Sequence, residues 1–154
     1  MKRKRPLRCP IADRSHTADE RVNRFKLGMK YLLGSLFVLA GVNHFARAAS
    51  YVAIVPRYLP FPIALVYASG FGEIALGLML LVPRLTRLAA WGLIALLVAV
   101  FPANIEMALH PELHPTIPLW LLWLRLPLQG LLIWWAYLYT RAALPTQTEG
   151  AANQ

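Results

Sequence analysis

Four apolar blocks, each close to the length that crosses a lipid bilayer, dominate this chain of 154 residues. A spanning helix needs about 20 predominantly apolar residues, with a range of about 17–25. In the hydrocarbon interior every backbone polar group must find a partner within the protein, and a helix satisfies this rule by itself. The sequence therefore predicts an all-α fold, an integral membrane four-helix bundle. The blocks are residues 27–46, 61–82, 88–103 and 119–139, of which the third is shortest and should borrow residues at its ends.

Positive charge is concentrated before the first block. The net charge is +9, and ten of the 16 Lys and Arg residues precede Tyr31. This placement is typical of a topology signal rather than of a nucleic-acid-binding surface, so we expect no nucleic acid among the partners. Residues 1–29 have too little apolar surface to fold by themselves. We expect a basic, largely disordered cytoplasmic tail held by anionic lipid, with binding of an acidic partner as the alternative.

The distribution of Lys and Arg between the two sides of the membrane predicts the orientation. The first tail, the turn at residues 83–87 and the second tail carry ten, two and one, whereas the opposite side together with Arg125 carries three. Because cytoplasmic loops carry the excess of positive charge, both the N- and C-termini are predicted to be cytoplasmic. The membrane domain should then occupy residues 30–141, followed by a flexible polar tail at residues 142–154.

Neither thiol chemistry nor a metal centre is predicted. Cys9 is the only cysteine, which excludes an intrachain disulfide and a CxxC pair. His110 and His114 have i, i+4 spacing, but Pro111 and Pro115 disfavour a continuous helix there. Since a metal site needs about three or four ligands, we expect a polar loop at this position and no bound metal.

Small residues recur on one face of each of the first two spans. Gly34, Gly41 and His44 share a face of the first span with an intervening Phe37, and Ser69, Glu73 and Gly77 share a face of the second. Small residues let neighbouring helices approach closely in a membrane. The pattern predicts helix–helix contact on these faces and turns Glu73 inward, away from lipid. Between the two spans, residues 51–62 contain three prolines and form either a lid over the mouth of the bundle or a simple loop.

Five polar residues in or at the ends of the spans are candidates for one site: His44, Glu73, Asn104, Arg125 and Gln129. A charge at the centre of a bilayer costs roughly 2.5–3.5 kcal/mol on insertion scales, so Glu73 needs a partner or a function. At 1.5 Å per residue, Glu73 lies about 18 Å inward from Phe61, and Arg125 about 10 Å inward from the start of its span. All five are expected in the outer half or at the midplane, with nothing comparable buried in the inner half.

The expected arrangement is a ligand or ion-pair pocket. The depths of Glu73 and Arg125 differ by only about 8 Å, which tilt and long side chains can bridge, so we expect an ion pair between them. Gln129 and Asn104 would complete its hydrogen bonds, and His44 would sense pH or relay a proton. Two interpretations stay open. The group either only holds the helices together or binds a small polar molecule, a quinone headgroup or a proton.

At these residues the chain resembles the DoxX family of small four-helix membrane proteins. The resemblance covers residues 30–141 and is carried by five short motifs in order along the chain. They are Gly41-Val42-Asn43-His44-Phe45, Val55-Pro56-Arg57-Tyr58-Leu59-Pro60, Gly70-Phe71-Gly72-Glu73-Ile74-Ala75-Leu76-Gly77, Phe101-Pro102-Ala103-Asn104-Ile105-Glu106-Met107 and Arg125-Leu126-Pro127-Leu128-Gln129. The resemblance implies a multi-pass protein of the cytoplasmic (inner) membrane of a prokaryote, associated with respiratory or redox complexes.

The resulting functional hypothesis is an accessory subunit of a membrane redox assembly with no catalytic activity of its own. Its partners would be the lipid bilayer and a membrane oxidoreductase, and its polar pocket would offer contact to a quinone without a resident cofactor. Haem is not expected, because only His44 lies near the membrane and a second axial ligand is lacking. The alternatives are a small-solute or proton transporter and a purely structural membrane anchor.

Overall fold

The computed structural model of the chain describes residues 10–56, 58–113 and 117–141. Within these ranges the chain is helical, without strands. The α-helices are α1 (Pro10–Ala46), α2 (Ala48–Val52), α3 (Pro62–Leu81), α4 (Thr86–Leu109) and α5 (Leu119–Tyr137), with a single 3-10 turn at Pro111–Leu113.

Four of these helices are long and apolar enough to span a membrane, which confirms that part of the sequence prediction. The candidate spans are Arg21–Ala46 within α1 and the whole of α3, α4 and α5. The third span is longer than its apolar block because α4 continues through Pro102 to Leu109. A proline removes one backbone hydrogen bond, and spanning helices tolerate this loss where neighbouring groups compensate. The cytoplasmic placement of the termini stays a prediction.

The first helix begins earlier than the sequence predicted. It starts at Pro10, so residues 10–29 are helical where a largely disordered tail was expected. Extending an existing helix adds one hydrogen bond for each residue fixed, whereas starting a new helix is costly. A polar segment with no proline or glycine between residues 11 and 27 can therefore continue the spanning helix. The rest of that tail, residues 1–9, and the predicted second tail, residues 142–154, lie outside the described residues.

Two reciprocal pairs of glycines set the contact between α1 and α3. A Cβ atom on Gly34 would lie 3.0 Å from the carbonyl oxygen of Gly77, and one on Gly77 would lie 2.8 Å from that of Gly34. For Gly41 and Gly70 the corresponding distances are 2.5 and 3.1 Å. The partners move in opposite directions along the chain, so the helices are antiparallel. The predicted close approach of these small-residue faces is confirmed.

The remaining helices pack mainly on their neighbours in the chain, α3 on α4 and α4 on α5. Gly92 of α4 receives the side chain of Leu76 from α3. The buried core lies in the half of the bundle next to the turn between α3 and α4, where all four spans meet. Its members are Leu33, Phe37, Leu80, Ala89, Ala90, Leu93, Leu97, Ala136 and Tyr139. At the same end the Tyr139 hydroxyl donates to the carbonyl oxygen of Lys26 over 3.0 Å, which ties α5 to α1.

Candidate functional site

The five polar residues predicted to form one pocket fall into two groups and one separate residue. His44 of α1 meets Glu73 of α3. Asn104 of α4 meets Gln129 of α5. Arg125 lies on an exposed part of α5 and forms no ion pair with Glu73. The helices thus bring together two neighbouring pairs rather than a single constellation.

The pair of His44 and Glu73 is the only acid–base pair buried within the described part of the chain. Each residue is 9% exposed. The Nε2 atom of His44 lies 3.9 Å from Oε2 of Glu73. This separation suits an ion pair but exceeds the length of a hydrogen bond, and Oε2 is buried with no hydrogen-bond partner among the described residues. Because Oε2 is out of reach of a hydrogen-bond donor, the cost of burying it is only partly offset.

The contacts of the other imidazole nitrogen indicate the tautomer of His44. Nδ1 lies 3.1 Å from the hydroxyl of Ser69 and 3.3 Å from the carbonyl oxygen of Val66. The Ser69 hydroxyl donates its own hydrogen to the same carbonyl over 2.9 Å. Ser69 and Val66 therefore offer Nδ1 only acceptors, so the network assigns the hydrogen to Nδ1. Nε2, which faces Glu73, is then free to accept a proton.

This arrangement lets the two side chains hold one proton in two electrically neutral ways. Either the glutamic acid is protonated beside a neutral imidazole, or a carboxylate lies beside an imidazolium. Both forms avoid a net charge inside the apolar bundle, where an isolated charge is costly. A ligand that reaches between Nε2 and Oε2 would meet one proton donor and one acceptor in either form.

A short segment after α1 covers this pair. The Tyr51 ring of α2 packs on the His44 ring, with centroids 3.9 Å apart and planes tilted by 52°. Asn43 donates its side-chain amide to the Tyr51 hydroxyl over 2.8 Å and holds the ring in place. Of the two interpretations of residues 51–62, this contact favours a cover over His44 at Tyr51, while Tyr58 and Phe61 farther along are 70% and 80% exposed.

The second polar pair connects α4 and α5. Asn104 donates to Oε1 of Gln129 over 2.9 Å, and Nε2 of Gln129 donates to the carbonyl oxygen of Leu97 over 2.5 Å. Pro102, one turn after Leu97 and Val98, removes the hydrogen bond that the Val98 carbonyl would accept. Gln129 donates to the neighbouring Leu97 carbonyl instead. Leu97 is buried, whereas Val98 is exposed. The expectation that Asn104 and Gln129 complete the hydrogen bonds of Glu73 and Arg125 is wrong, because Asn104 and Gln129 bond to each other and Gln129 bonds to the Leu97 carbonyl.

The expected ion pair between Glu73 and Arg125 is wrong. Helix α5 packs chiefly on α4, whereas Glu73 lies on the face of α3 that turns to α1. Arg125 donates from Nη1 to the thioether sulfur of Met107 over 3.2 Å and is exposed. The rise per residue predicts how deep a residue lies in the membrane. It does not determine which helices lie next to each other.

A buried lysine in the opposite half of the bundle was missed. Lys30 is 6% exposed and donates to the Thr86 hydroxyl over 3.3 Å, beside the turn between α3 and α4. The expectation that nothing comparable is buried in the inner half is therefore wrong. The helical spacing could have indicated this burial. Spacings of four and three residues alternate along one face of α1, which carries Lys30, Gly34, Phe37, Gly41 and His44.

A second pair of the same residue types lies at the surface. His110 and Glu106 are 3.6 Å apart, with side chains 46% and 34% exposed. His110 also contacts Glu112 over 3.0 Å, and no group of three metal-ligating side chains occurs among the described residues. His114 of the predicted polar loop lies outside those residues. The exposed pair is a natural comparison for the buried one.

Comparison with known proteins gives one match. The model of a protein family described as a domain of unknown function, DUF8561, matches residues 33–140, which are 108 of the 154 residues. No curated protein and no solved structure matches the chain. The matched range contains both polar pairs and Arg125, whereas Lys30 precedes it.

Proposed function

The chain belongs to the DUF8561 family, a domain of unknown function, and we propose that it is an accessory subunit of a membrane redox assembly. In this proposal the His44–Glu73 pair exchanges a proton with the headgroup of a quinone. The protein resides in the cytoplasmic membrane of a prokaryote with both termini in the cytoplasm. The resemblance of its motifs to the DoxX family supports the redox setting.

The observation that carries the proposal is Oε2 of Glu73, which lies 3.9 Å from His44 Nε2 and has no hydrogen-bond partner in the described part of the chain. A quinone carbonyl accepts a hydrogen bond and a quinol hydroxyl donates one. The pair offers one donor and one acceptor, so it suits both forms of such a headgroup. Reduction of a quinone consumes two electrons and two protons. The pair would pass on one proton at a time, and the electrons would come from the oxidoreductase partner.

Transport along the same interface is disfavoured by the side chains between the two ends. His44 and Lys30 share a face of α1 and are about 21 Å apart along the helix. Leu33 and Phe37 lie between them and are 0% and 5% exposed. The glycine pairs bring the two backbones close together over the same stretch. Buried apolar side chains therefore interrupt the polar positions of this interface, which disfavours a solute or proton channel along it.

Quinone binding by the purified protein tests the proposal directly. Decylubiquinone and menadione are titrated into the detergent-solubilised protein, and binding is followed by quenching of tryptophan fluorescence. Removing a hydrogen bond to a charged group costs about 1.5–3 kcal/mol, so Glu73→Gln and His44→Asn should each weaken binding about 10- to 150-fold. Glu106→Gln and His110→Asn make the same changes in the exposed pair and should leave binding unchanged. Equal affinity in all five proteins would refute the assignment of the site.

The accessory role is tested separately by its partner. Affinity purification of the chain from its native membrane in mild detergent should recover a membrane oxidoreductase in a fixed ratio. Recovery of the chain without any oxidoreductase would contradict the accessory role while leaving quinone binding to be judged by the titration.

A further inference from the structure

An apolar groove runs along α5, and the side chain of Arg125 is one of the groups that line it. The groove is open to its surroundings and has a volume of about 390 Å³. Four of its residues recur every three or four positions on one face of α5, and the other two directly precede the helix. The six are Ile117, Pro118, Leu121, Leu124, Arg125 and Leu128.

The guanidinium of Arg125 has little to bind within the described part of the chain. The acceptor it contacts is the sulfur of Met107, and a thioether is a weak acceptor for a group that carries five N–H donors. Arg125 is exposed on a helix whose neighbouring positions, Leu124 and Leu128, are 48% and 47% exposed. A charge on such a face requires an anion or access to water, since hydrocarbon solvates it poorly.

The direction of the side chain places its charge near the membrane surface. Side chains in a helix tilt toward its N-terminus, and α5 begins at Leu119, about 9 Å along the axis from Arg125. Trp120 and Trp123 flank this region and are 64% and 51% exposed, as tryptophans at a membrane interface are. Arg125 therefore extends from the apolar groove toward the level of the lipid headgroups.

We propose that this groove binds a phospholipid, with its phosphate on the Arg125 guanidinium and an acyl chain along Leu124 and Leu128. A phosphate has the oxygen geometry that a guanidinium binds through two parallel hydrogen bonds. The apolar walls of the groove match the rest of the lipid. The site is distinct from the His44–Glu73 pair, because that pair lies between α1 and α3 whereas Arg125 lies on α5.

A carboxylate from a second copy of the chain fits this face less well. The acidic residues at the matching end of the bundle are Glu106 and Glu112, and both contact His110 of their own chain. Recruiting either one would break an existing contact. A phosphate is present in every phospholipid around the helix and needs no such exchange.

Native mass spectrometry of the delipidated full-length protein tests this site. The probes are dioleoylphosphatidylglycerol, dioleoylphosphatidylcholine and the phosphate-free dioleoylglycerol. The wild-type chain should retain one molecule of either phospholipid at the highest collision energy and none of dioleoylglycerol. Arg125→Gln should weaken that binding about tenfold, and Arg125→Lys less, because lysine keeps the charge but loses the paired hydrogen bonds.

Two further variants separate the site from general effects on the helix. Arg141→Gln removes a cation at the other end of α5, where Arg141 donates to Tyr137, and should leave the tightly held lipid in place. Leu128→Trp fills the groove while keeping Arg125 and should reduce retention of both phospholipids. Retention that is equal in Arg125→Gln and wild type would overturn the proposal. So would an Arg125-dependent dimer that carries no lipid.

Discussion

Gly41 of α1 lies against the backbone of Gly70 in α3, so close that a Cβ atom at Gly41 would be 2.5 Å from the Gly70 carbonyl oxygen. The same substitution at Gly70 would bring its Cβ to 2.7 Å from that of His44. The glycine contact therefore holds α1 against α3 at the level of the buried acid–base pair. The packing of α1 on α3 and the position of the His44–Glu73 pair therefore depend on the same interface.

Gly41→Ala should destabilise the protein. The added methyl group must displace backbone, and overpacking of this kind costs about 1–3 kcal/mol. Gly130→Ala is the matched control, because a Cβ there meets nothing within 4 Å and alanine is the better helix former. The measurement is the thermal midpoint of each protein in the same detergent. A Gly41→Ala protein as stable as the Gly130→Ala protein would show that the helices are not in close contact at this position.

The contact between α1 and α3 was predicted from the sequence only in part. The spacing of Gly34, Gly41 and Gly77 predicted which face of each helix would contact another helix, because helical periodicity fixes the direction of a side chain relative to its own helix. It did not identify Gly70 as the partner of Gly41. That choice depends on the register between two helices, which is set by packing along their whole length and not by either sequence alone.

Arg125 illustrates the complementary failure. Its depth was predicted from the rise per residue, and that estimate matched it to Glu73. The pairing was wrong because α5 packs on α4, and the order of helices around a bundle does not follow from their depths. Lys30 was overlooked for a different reason, since its position among ten basic residues resembled a solvated tail although it shares the face of Gly34.

The energetic coupling between His44 and Glu73 should be measurable in a double-mutant cycle. His44→Leu leaves a buried carboxyl group without its base, and Glu73→Leu leaves the imidazole without its acid. The losses of stability in the two single variants should add up to more than the loss in the double variant. The difference is the coupling energy, which we expect to be about 0.5–3 kcal/mol. The free energies of unfolding come from titration with SDS in mixed micelles. Additive losses would mean that the two side chains do not interact.

The hydrogen bonds of Gln129 should stabilise the packing of α5 on α4. Gln129→Leu removes the bonds to Asn104 and to the Leu97 carbonyl, whereas Asn104→Leu removes only the first. Side-chain hydrogen bonds between spanning helices average about 0.6 kcal/mol and reach about 1.7 kcal/mol. We expect Gln129→Leu to cost about 1–2 kcal/mol and Asn104→Leu about half as much. Equal costs would mean that the bond to Leu97 contributes nothing, and the same SDS titration distinguishes the two results.

The orientation of the protein can be read from its own single cysteine. Cys9 lies in the basic segment that the positive-inside rule places in the cytoplasm. A membrane-impermeant maleimide should label Cys9 in inside-out vesicles and not in intact cells or spheroplasts. In a Cys9→Ser background, Ser50→Cys at the other end of α1 should show the reverse pattern, because one spanning helix separates the two positions. Arg141→Cys should label like Cys9, since four spans return the chain to the side on which it began. Labelling of Cys9 in intact cells would invert the topology and place the His44–Glu73 pair on the cytoplasmic side of the membrane.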